Sequence, residues 1–311
     1  MKIVQIGTGG WGKNHCRVLS ELGVLSAVCD KDLHLAEEFG KKYSVNFYNS
    51  LETLLEKEEF DAAFICTPTI THADIATKLI ESKKHVFVEK PLTYLSEDGQ
   101  KLVDMANKNN VVLTCGYIER FNPAVSTVKD FLTSKKYGDL IRLEFYREHR
   151  MPQHIKDVGI IYDTAVHDID TAMWLFGKTP EVVFAIAGKI NHEHEDFATI
   201  MLGFKDNKTA TISSNWITPT RVRNFNAVCT DGRIFSDFIT QEIRIETDHG
   251  TENPKNEKTE PLLLEIKNFL GAIETKNDIK VKAEQAVNVT KIAEAALLSS
   301  KKGIPIYLDI K

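Results

Sequence analysis

The chain has 311 residues, 42% of them hydrophobic and 27% charged, the balance of an ordinary soluble globular protein, and at roughly 100–200 residues per domain it predicts two domains. Its 39 basic side chains against 44 acidic ones give a formal charge of −5, and without a basic tract that balance speaks against nucleic acid as a partner. No run approaches the ~18 apolar residues of a membrane span. The strand-like start Lys2-Ile3-Val4-Gln5-Ile6 predicts no signal peptide, and the scattered Cys16, Cys29, Cys66, Cys115 and Cys229 predict a reducing cytoplasm, not disulfides or a zinc site.

In the first third, apolar runs at 3–6, 25–29, 62–66, 85–88 and 111–115 are too short for helices and almost unbroken, as in strands covered on both faces. Helical spacing fills the gaps. Leu51, Leu54 and Leu55 follow Ser50, a good N-cap. Ile75, Leu79 and Ile80 follow Thr71-x-x-Asp74, which has the form of a capping box. Leu102, Val103 and Met105 follow Ser96, with Glu97 and Asp98 suited to the positive end of a helix. Such alternation predicts a doubly wound parallel sheet of the Rossmann type with right-handed crossovers.

Further on, strand-like runs at 140–148, 181–190, 197–204, 209–217, 224–230 and 242–246 follow one another through turns such as Asp206-Asn207 and Asp231-Gly232. They predict an open, mainly antiparallel sheet in a second α/β domain. Helices are expected at 162–176, 261–275 and 283–299, and a surface loop at 249–260. The domains are read as 1–119 and 120–311, with the joint where the fifth parallel strand ends.

The first strand runs into Gly7-Thr8-Gly9-Gly10-Trp11-Gly12, a G-x-G-x-x-G turn that opens a helix. Gly7 permits the tight turn, Gly9 lets the backbone approach a pyrophosphate, and Gly12 allows close helix–strand packing. The helix N-terminus, with Gly10 and Trp11, offers N–H groups to the anion. Asp30 ends the second strand, where a carboxylate accepts from both ribose hydroxyls and repels a 2′-phosphate. NAD is therefore favoured over NADP, although the adjacent Lys31 can soften that preference.

The C-terminal ends of the other strands carry further candidates. Glu89-Lys90-Pro91 closes the fourth apolar run, so Lys90 is expected where a nicotinamide lies. A lysine there can bond a substrate hydroxyl, stabilise an alkoxide or exchange a proton. Pro91 is the residue type that supplies most cis bonds. Thr67, Pro68 and His72 follow the third run and are expected to line the cofactor cleft, unless His72 simply caps a helix. Asp163 and His167 stand at i and i+4, on one helical face. A carboxylate beside an imidazole orients it and raises its basicity, which suits removal of a hydroxyl proton. Asp168 and Asp170 leave the identity of that carboxylate open. His15 reads as packed in the first helix. His192-x-His194 with Glu193, Glu195 and Asp196 has the look of a metal cluster, but a solvated turn is favoured and no metal is expected. Arg120, Arg147, Arg150, Arg221 and Arg223 are candidates for a substrate diphosphate.

Taken in order, the glycine turn, Glu89-Lys90-Pro91, Arg120-Phe121-Asn122-Pro123 and Asp163-x-x-x-His167-Asp168-Ile169-Asp170 resemble the glucose–fructose oxidoreductase / inositol dehydrogenase (Gfo/Idh/MocA) family across essentially the whole chain. The resemblance implies a Rossmann domain that binds NAD(P) and a second domain whose open sheet binds substrate and mediates dimers or tetramers. It also implies oxidation or reduction of a secondary alcohol of a sugar, cyclitol or nucleotide sugar. The family's catalytic lysine maps to Lys90, and its aspartate–histidine pair to Asp163 and His167. Arg120 and Asn122 join them as expected substrate contacts, and Glu89 joins the cofactor contacts.

A narrower resemblance, to nucleotide-sugar members acting at C3 of UDP-N-acetylglucosamine-type substrates, rests on residues 116–125, on Asp157-Val158-Gly159 and on residues 165–170. The chain departs from that group at Tyr117, where relatives often carry histidine, and at Met151-Pro152-Gln153-His154. Three functions follow as expectations. The first is an NAD-dependent nucleotide-sugar dehydrogenase. The second is an inositol or free-sugar dehydrogenase with the same machinery. The third is a dinucleotide-binding regulatory protein without turnover, which would need none of Lys90, Asp163 and His167.

Overall fold

Ile3, Val4 and Ile6 are almost fully shielded from solvent, as are Ala62, Ala63, Phe64 and Ile65. Two such strands side by side can lie only at the centre of a covered sheet. The computed structural model describes residues 1–152, 155–275 and 278–309. It divides into two compact units, Met1–Gly116 with Leu262–Val287, and Tyr117–Pro261 with Asn288–Lys311.

The first unit runs β1 (Ile3–Ile6), α1 (Gly12–Glu21), β2 (Leu25–Cys29), α2 (Leu33–Tyr43), β3 (Asn46–Tyr48), α3 (Leu51–Lys57), β4 (Ala62–Ile65), α4 (His72–Glu81), β5 (His85–Glu89), α5 (Ser96–Asn109) and β6 (Leu113–Gly116). The strands are parallel in the order β3-β2-β1-β4-β5-β6. The expected doubly wound sheet is therefore present, and strand order reverses between β1 and β4, the place where such sheets bind ligands. The sheet has six strands, not five. β3 escaped the sequence because it is an edge strand of three residues with no buried position, so no apolar run marks it.

Caps follow the sequence in part. The Ser50 side chain accepts from Thr53 N at 3.2 Å, as expected. The Thr71 capping box does not form. Its hydroxyl donates to the Pro68 carbonyl at 2.7 Å and lies within hydrogen-bond distance of Thr67 Oγ1, 2.8 Å away, because a 3₁₀ turn at Thr69–Thr71 leads into α4. Ser96 is already the first residue of α5, with Glu97 and Asp98 in its first turn.

The second unit begins with α6 (Pro123–Thr133) and β7 (Leu140–Glu148). A π-helical turn, Ile161–Ala165, then feeds α7 (Val166–Phe176). Six strands follow: β8 (Val182–Gly188), β9 (Phe197–Phe204), β10 (Lys208–Asn215), β11 (Val222–Cys229), β12 (Gly232–Asp237) and β13 (Ile243–Thr247), with the short β14 (Gly250–Glu252) after them. The chain returns to the first unit as α8 (Pro261–Thr275), then forms α9 (Ala283–Lys302) and β15 (Ile306–Tyr307).

The sheet has the order β14-β13-β12-β11-β7-β10-β9-β8-β15. Among the described residues only β7 and β10 of this sheet pair in parallel, so the mainly antiparallel expectation holds. β12 was missed because Arg233, Ser236 and Asp237 dilute its apolar alternation. The expected loop at 249–260 contains β14, and the expected single helix at 162–176 is a π turn followed by an α-helix. In the first unit, Phe269 of α8 meets the stacked Phe64 and Phe87 edge-on, at 5.3 and 5.7 Å between centroids, a favoured aromatic arrangement. Among the described residues no helix is long and apolar enough to cross a membrane.

Candidate active site

The glycine turn leaves β1 with Gly7 at φ +82°, a conformation that favours glycine. A Cβ at Gly7 would stand 2.5 Å from the Cys66 carbonyl oxygen, and one at Gly12 would stand 2.0 Å from that of Gly7. Only glycine fits either place. At Gly9 a Cβ would meet nothing nearer than Leu35 Cδ1 at 3.9 Å, so the backbone there is open to an approaching group. Gly10 also has a positive φ, 44°, and Trp11 is exposed at the N-cap of α1. This cradle suits a pyrophosphate. Asp30, at the end of β2, accepts from Thr8 N at 2.7 Å, Thr8 Oγ1 at 3.0 Å and Asp32 N at 3.0 Å. It thereby pins the turn, and its oxygens keep lone pairs for a ribose.

At the end of β5, Glu89 is buried and reaches in two directions. Oε1 meets His15 Nε2 at 2.8 Å, and Oε2 accepts from the backbone N–H of Lys90 at 3.1 Å. His15 is fully buried, 5.5 Å from each of the rings of Phe64 and Phe87. The packed histidine of the sequence is thus also the anchor of Glu89. Gly116 on β6 would carry a Cβ 3.1 Å from the Glu89 carboxylate, so the side chain fills that space.

His15, Cys66 and Glu89 offer donor atoms within 4.8 Å of one another. Burial pushes the Cys66 thiol well up, and two of the three groups, His15 and Glu89, are already hydrogen-bonded to each other. Lys90 is half-buried, and the Lys90–Pro91 bond is cis. His72 is buried, with Nδ1 2.9 Å from the Pro91 carbonyl and Nε2 2.9 Å from that of Thr67. It ties the Thr67-Pro68 loop to the turn after Lys90. Both acceptors are carbonyls, so both bonds form together only on the protonated ring.

In the second unit Asp163 lies in the π turn and His167 in the first turn of α7. π turns within helices are frequent at functional sites. Trp216 Nε1 donates to Thr164 Oγ1 at 3.2 Å, and Thr164 Oγ1 donates to Asp163 Oδ2 at 3.0 Å. The indole can only donate, which directs the hydroxyl proton to the carboxylate. Glu195 accepts from Ile161 N at 3.2 Å, and its main-chain carbonyl accepts from Ile160 N at 2.8 Å. Its carboxylate occupies the space where a Cβ on Gly159 would sit. Burial raises the pKa of Glu195.

The 190–196 segment is a turn. Asp196 closes it by accepting from Ile190 N and Asn191 N, and His192 meets Trp216 edge-on at 5.3 Å. The ring of Tyr117 meets that of His167 edge-on at 6.4 Å. Sequence reasoning missed Thr164, Trp216 and Glu195 as support for Asp163. Trp216 is far away in sequence, and only the β-sheet brings it near.

The other acids and bases nearby form a buried ionic lattice. Arg120 Nη2 meets Asp170 Oδ1 at 2.6 Å, and both side chains are essentially inaccessible. Arg147 binds both oxygens of Asp168, at 2.8–3.1 Å, and Glu119 Oε1 at 3.0 Å, with its guanidinium 4.7 Å from the Phe238 ring centre. Burial raises the carboxyl pKa of Asp168 and of Asp170, against the pull of Arg147 and Arg120 respectively. Asp168 and Asp170 are therefore committed to arginines. Asn122 caps α6 by accepting from Ala124 N at 3.1 Å and donates to the Phe238 carbonyl at 2.9 Å. Gln153 and His154 lie outside the described residues.

The chain matches the sequence profile of the GFO_IDH_MocA oxidoreductase family, NAD-binding Rossmann fold, over residues 1–117, and that of the GFO/IDH/MocA C-terminal domain over residues 125–235. It is 27% identical over 283 residues to UDP-N-acetylglucosamine 3-dehydrogenase of Acidithiobacillus ferrooxidans, covering 88% of each chain. It is 27% identical over 265 residues to myo-inositol 2-dehydrogenase of Thermotoga maritima, covering 80% of this chain and 78% of that one. A solved structure of the A. ferrooxidans enzyme superposes with a TM-score of 0.89 at 25% identity, covering 97% of this chain and 98% of that one. The chain belongs to the Gfo/Idh/MocA family of oxidoreductases, which act on CH–OH groups, and its first unit is an NAD-binding Rossmann fold.

Proposed function

We propose that the protein is a dehydrogenase that oxidises the C3 hydroxyl of a UDP-N-acetylglucosamine-type nucleotide sugar. The observation that carries this reading is similarity to UDP-N-acetylglucosamine 3-dehydrogenase over 88% of both chains; Lys90, Asp163 and His167 are assigned to the chemistry on their resemblance to the family's motifs. Gly7, Gly9, Gly10, Trp11 and Gly12 hold the pyrophosphate. Asp30 binds the ribose and disfavours NADP, while Thr67, Pro68, His72 and Glu89 shape the nicotinamide end. The nicotinamide supplies the hydride acceptor.

Lys90 and His167 divide two tasks at the substrate hydroxyl, removing its proton and stabilising the oxyanion that forms as hydride leaves. Asp163 orients His167 and supports its positive form. Glu89 fixes the main chain of Lys90. The free cysteines fit a reducing cytoplasm.

On the outer face of the large sheet, Ile186 and Met201 are 62% and 51% exposed. Phe184 pairs directly with Met201. Such an apolar patch fits self-association into a dimer or tetramer, which analytical ultracentrifugation tests. A second reading, an inositol dehydrogenase, draws on the likeness to the T. maritima enzyme. A screen of UDP-sugars and inositols that follows NADH formation separates the two. UDP-N-acetylglucosamine is the expected substrate, and turnover of inositols alone overturns the reading.

A further inference from the structure

Two arginines of the second unit, Arg120 and Arg147, are buried. Arg120 and Arg147 are consumed by Asp170 and by Asp168 with Glu119. Arg223 is different. It stands directly across from Arg147 in the β11–β7 ladder, so the two side chains share one face of the sheet. That is the face on which Arg147 meets Asp168 of α7, the helix that carries His167.

Asp168 and Glu119, the carboxylates whose charge acts on Arg223, are already engaged elsewhere. Asp168 gives both oxygens to Arg147, and Glu119 gives one to Arg147 and one to Asn122. The buried Nε of Arg223 has no hydrogen-bond partner among the described residues. Burial, with Arg147 and Arg221 adding repulsion, pushes the Arg223 guanidinium down to about 10. A buried N–H without an acceptor is costly, and a guanidinium fork matches the oxygens of a phosphate or carboxylate.

Neighbouring groups extend the cationic patch. Register places Val222 across from Glu148, which brings Arg221 to the level of His149. His149 Nδ1 lies 2.7 Å from the Arg150 carbonyl. Its pKa is lowered, by burial first and by Arg223 and Arg221 in addition, while Asp163 pulls it up. The histidine thus lies within the fields of both the arginines and Asp163.

We propose that Arg223, assisted by Arg221, forms an oxyanion subsite beside Asp163 that holds an acidic group of the substrate. Two sources share this chemistry, the diphosphate of a nucleotide sugar and the carboxylate of a sugar acid. The proposal rests on the dehydrogenase reading for the place of that group in a substrate, but binding tests it without turnover.

The experiment is calorimetric titration of UDP, and separately of glucuronate, into the NAD-loaded full chain. It compares wild type with Arg223→Met, Arg223→Lys, Arg221→Met and, on the opposite face of the sheet, Arg142→Met. Arg223→Met is expected to weaken one of the two ligands at least tenfold, and Arg223→Lys less. Arg142→Met leaves binding unchanged, and NAD affinity is the same in all. Loss of UDP binding identifies the diphosphate, and loss of glucuronate binding identifies the carboxylate.

If Arg223→Met does not fold, Arg223→Lys and Arg221→Met carry the same comparison. Equal affinity in wild type and the Arg223 and Arg221 variants overturns the subsite, as does a wild type that binds neither ligand. Turnover of an alcohol with no Arg223 dependence sinks the subsite alone. Arg223-dependent binding without turnover of any alcohol sinks the dehydrogenase reading alone.

Discussion

The two units solve the problem of burying polar groups in different ways. In the first unit the parallel strands are almost wholly apolar, and polar groups gather at their C-terminal ends. His15 and Glu89 form one buried pair there, and the pair anchors the main chain of Lys90. In the second unit charge runs through the interior. Arg120–Asp170 and Arg147 with Asp168 and Glu119 are buried together. A buried ion pair adds little net stability over an apolar substitute, yet breaking one side of it is costly. The first unit is therefore expected to tolerate loss of a methyl group or a polar end, whereas the second is expected to fail when one lattice charge is removed.

The largest effect is expected in the first unit. Lys90→Met should lower turnover by roughly 10²–10⁴-fold, the range of a lost acid–base group. NAD affinity, measured by fluorescence titration, should stay close to that of wild type. Next comes the lattice. Asp168→Ala leaves Arg147 buried without its bidentate partner, and urea denaturation should show a loss of about 3–5 kcal/mol. Ile65→Val in the first unit should cost only about 1 kcal/mol. Equal losses from the two would erase the contrast between the units.

Thr164→Val tests support of the site rather than of the fold. It removes a hydrogen bond to the Asp163 carboxylate, and kcat should fall by about tenfold or more. Thr164→Ser should restore it, and Trp216→Phe should add nothing in the Thr164→Val background. A fall in kcat with Thr164→Ser as large as with Thr164→Val would make the role one of packing alone.

How much could be read from the sequence followed the same divide. The glycine turn, Asp30 and Lys90 stand at the ends of apolar runs, and local pattern is enough to find them. β3 was invisible because an exposed edge strand needs no apolar run. In the second unit β12 was missed for its polar residues. Arg120 and Asn122 were read only as substrate contacts, and the sequence did not show that their side chains also hold Asp170 and cap α6. Which carboxylate pairs with which arginine depends on strand register and on contacts between distant residues, and spacing along the chain does not carry that information. Trp216 supports Asp163 from 53 positions away (216 − 163), so no local motif announces it.

Two smaller effects follow, one in the first unit and one shared by both. Asp30→Ser should narrow the preference for NAD over NADP by roughly tenfold, since the carboxylate that repels a 2′-phosphate is gone. Competitive binding of the two cofactors measures it, and an unchanged ratio would free Asp30 from that role. Burial pushes the thiols of Cys16 and Cys29 up to about 12 and that of Cys229 up to about 11. At pH 8 almost none of each is thiolate, so these cysteines should resist a thiol reagent until the protein is unfolded.

The most direct measurement is NADH formation by the purified protein supplied with NAD and UDP-N-acetylglucosamine, set beside myo-inositol and free N-acetylglucosamine, with the oxidised carbon located by NMR. The account predicts NADH from the nucleotide sugar and a ketone at C3. NADH from inositol or the free sugar alone, or a ketone at another carbon, would contradict it.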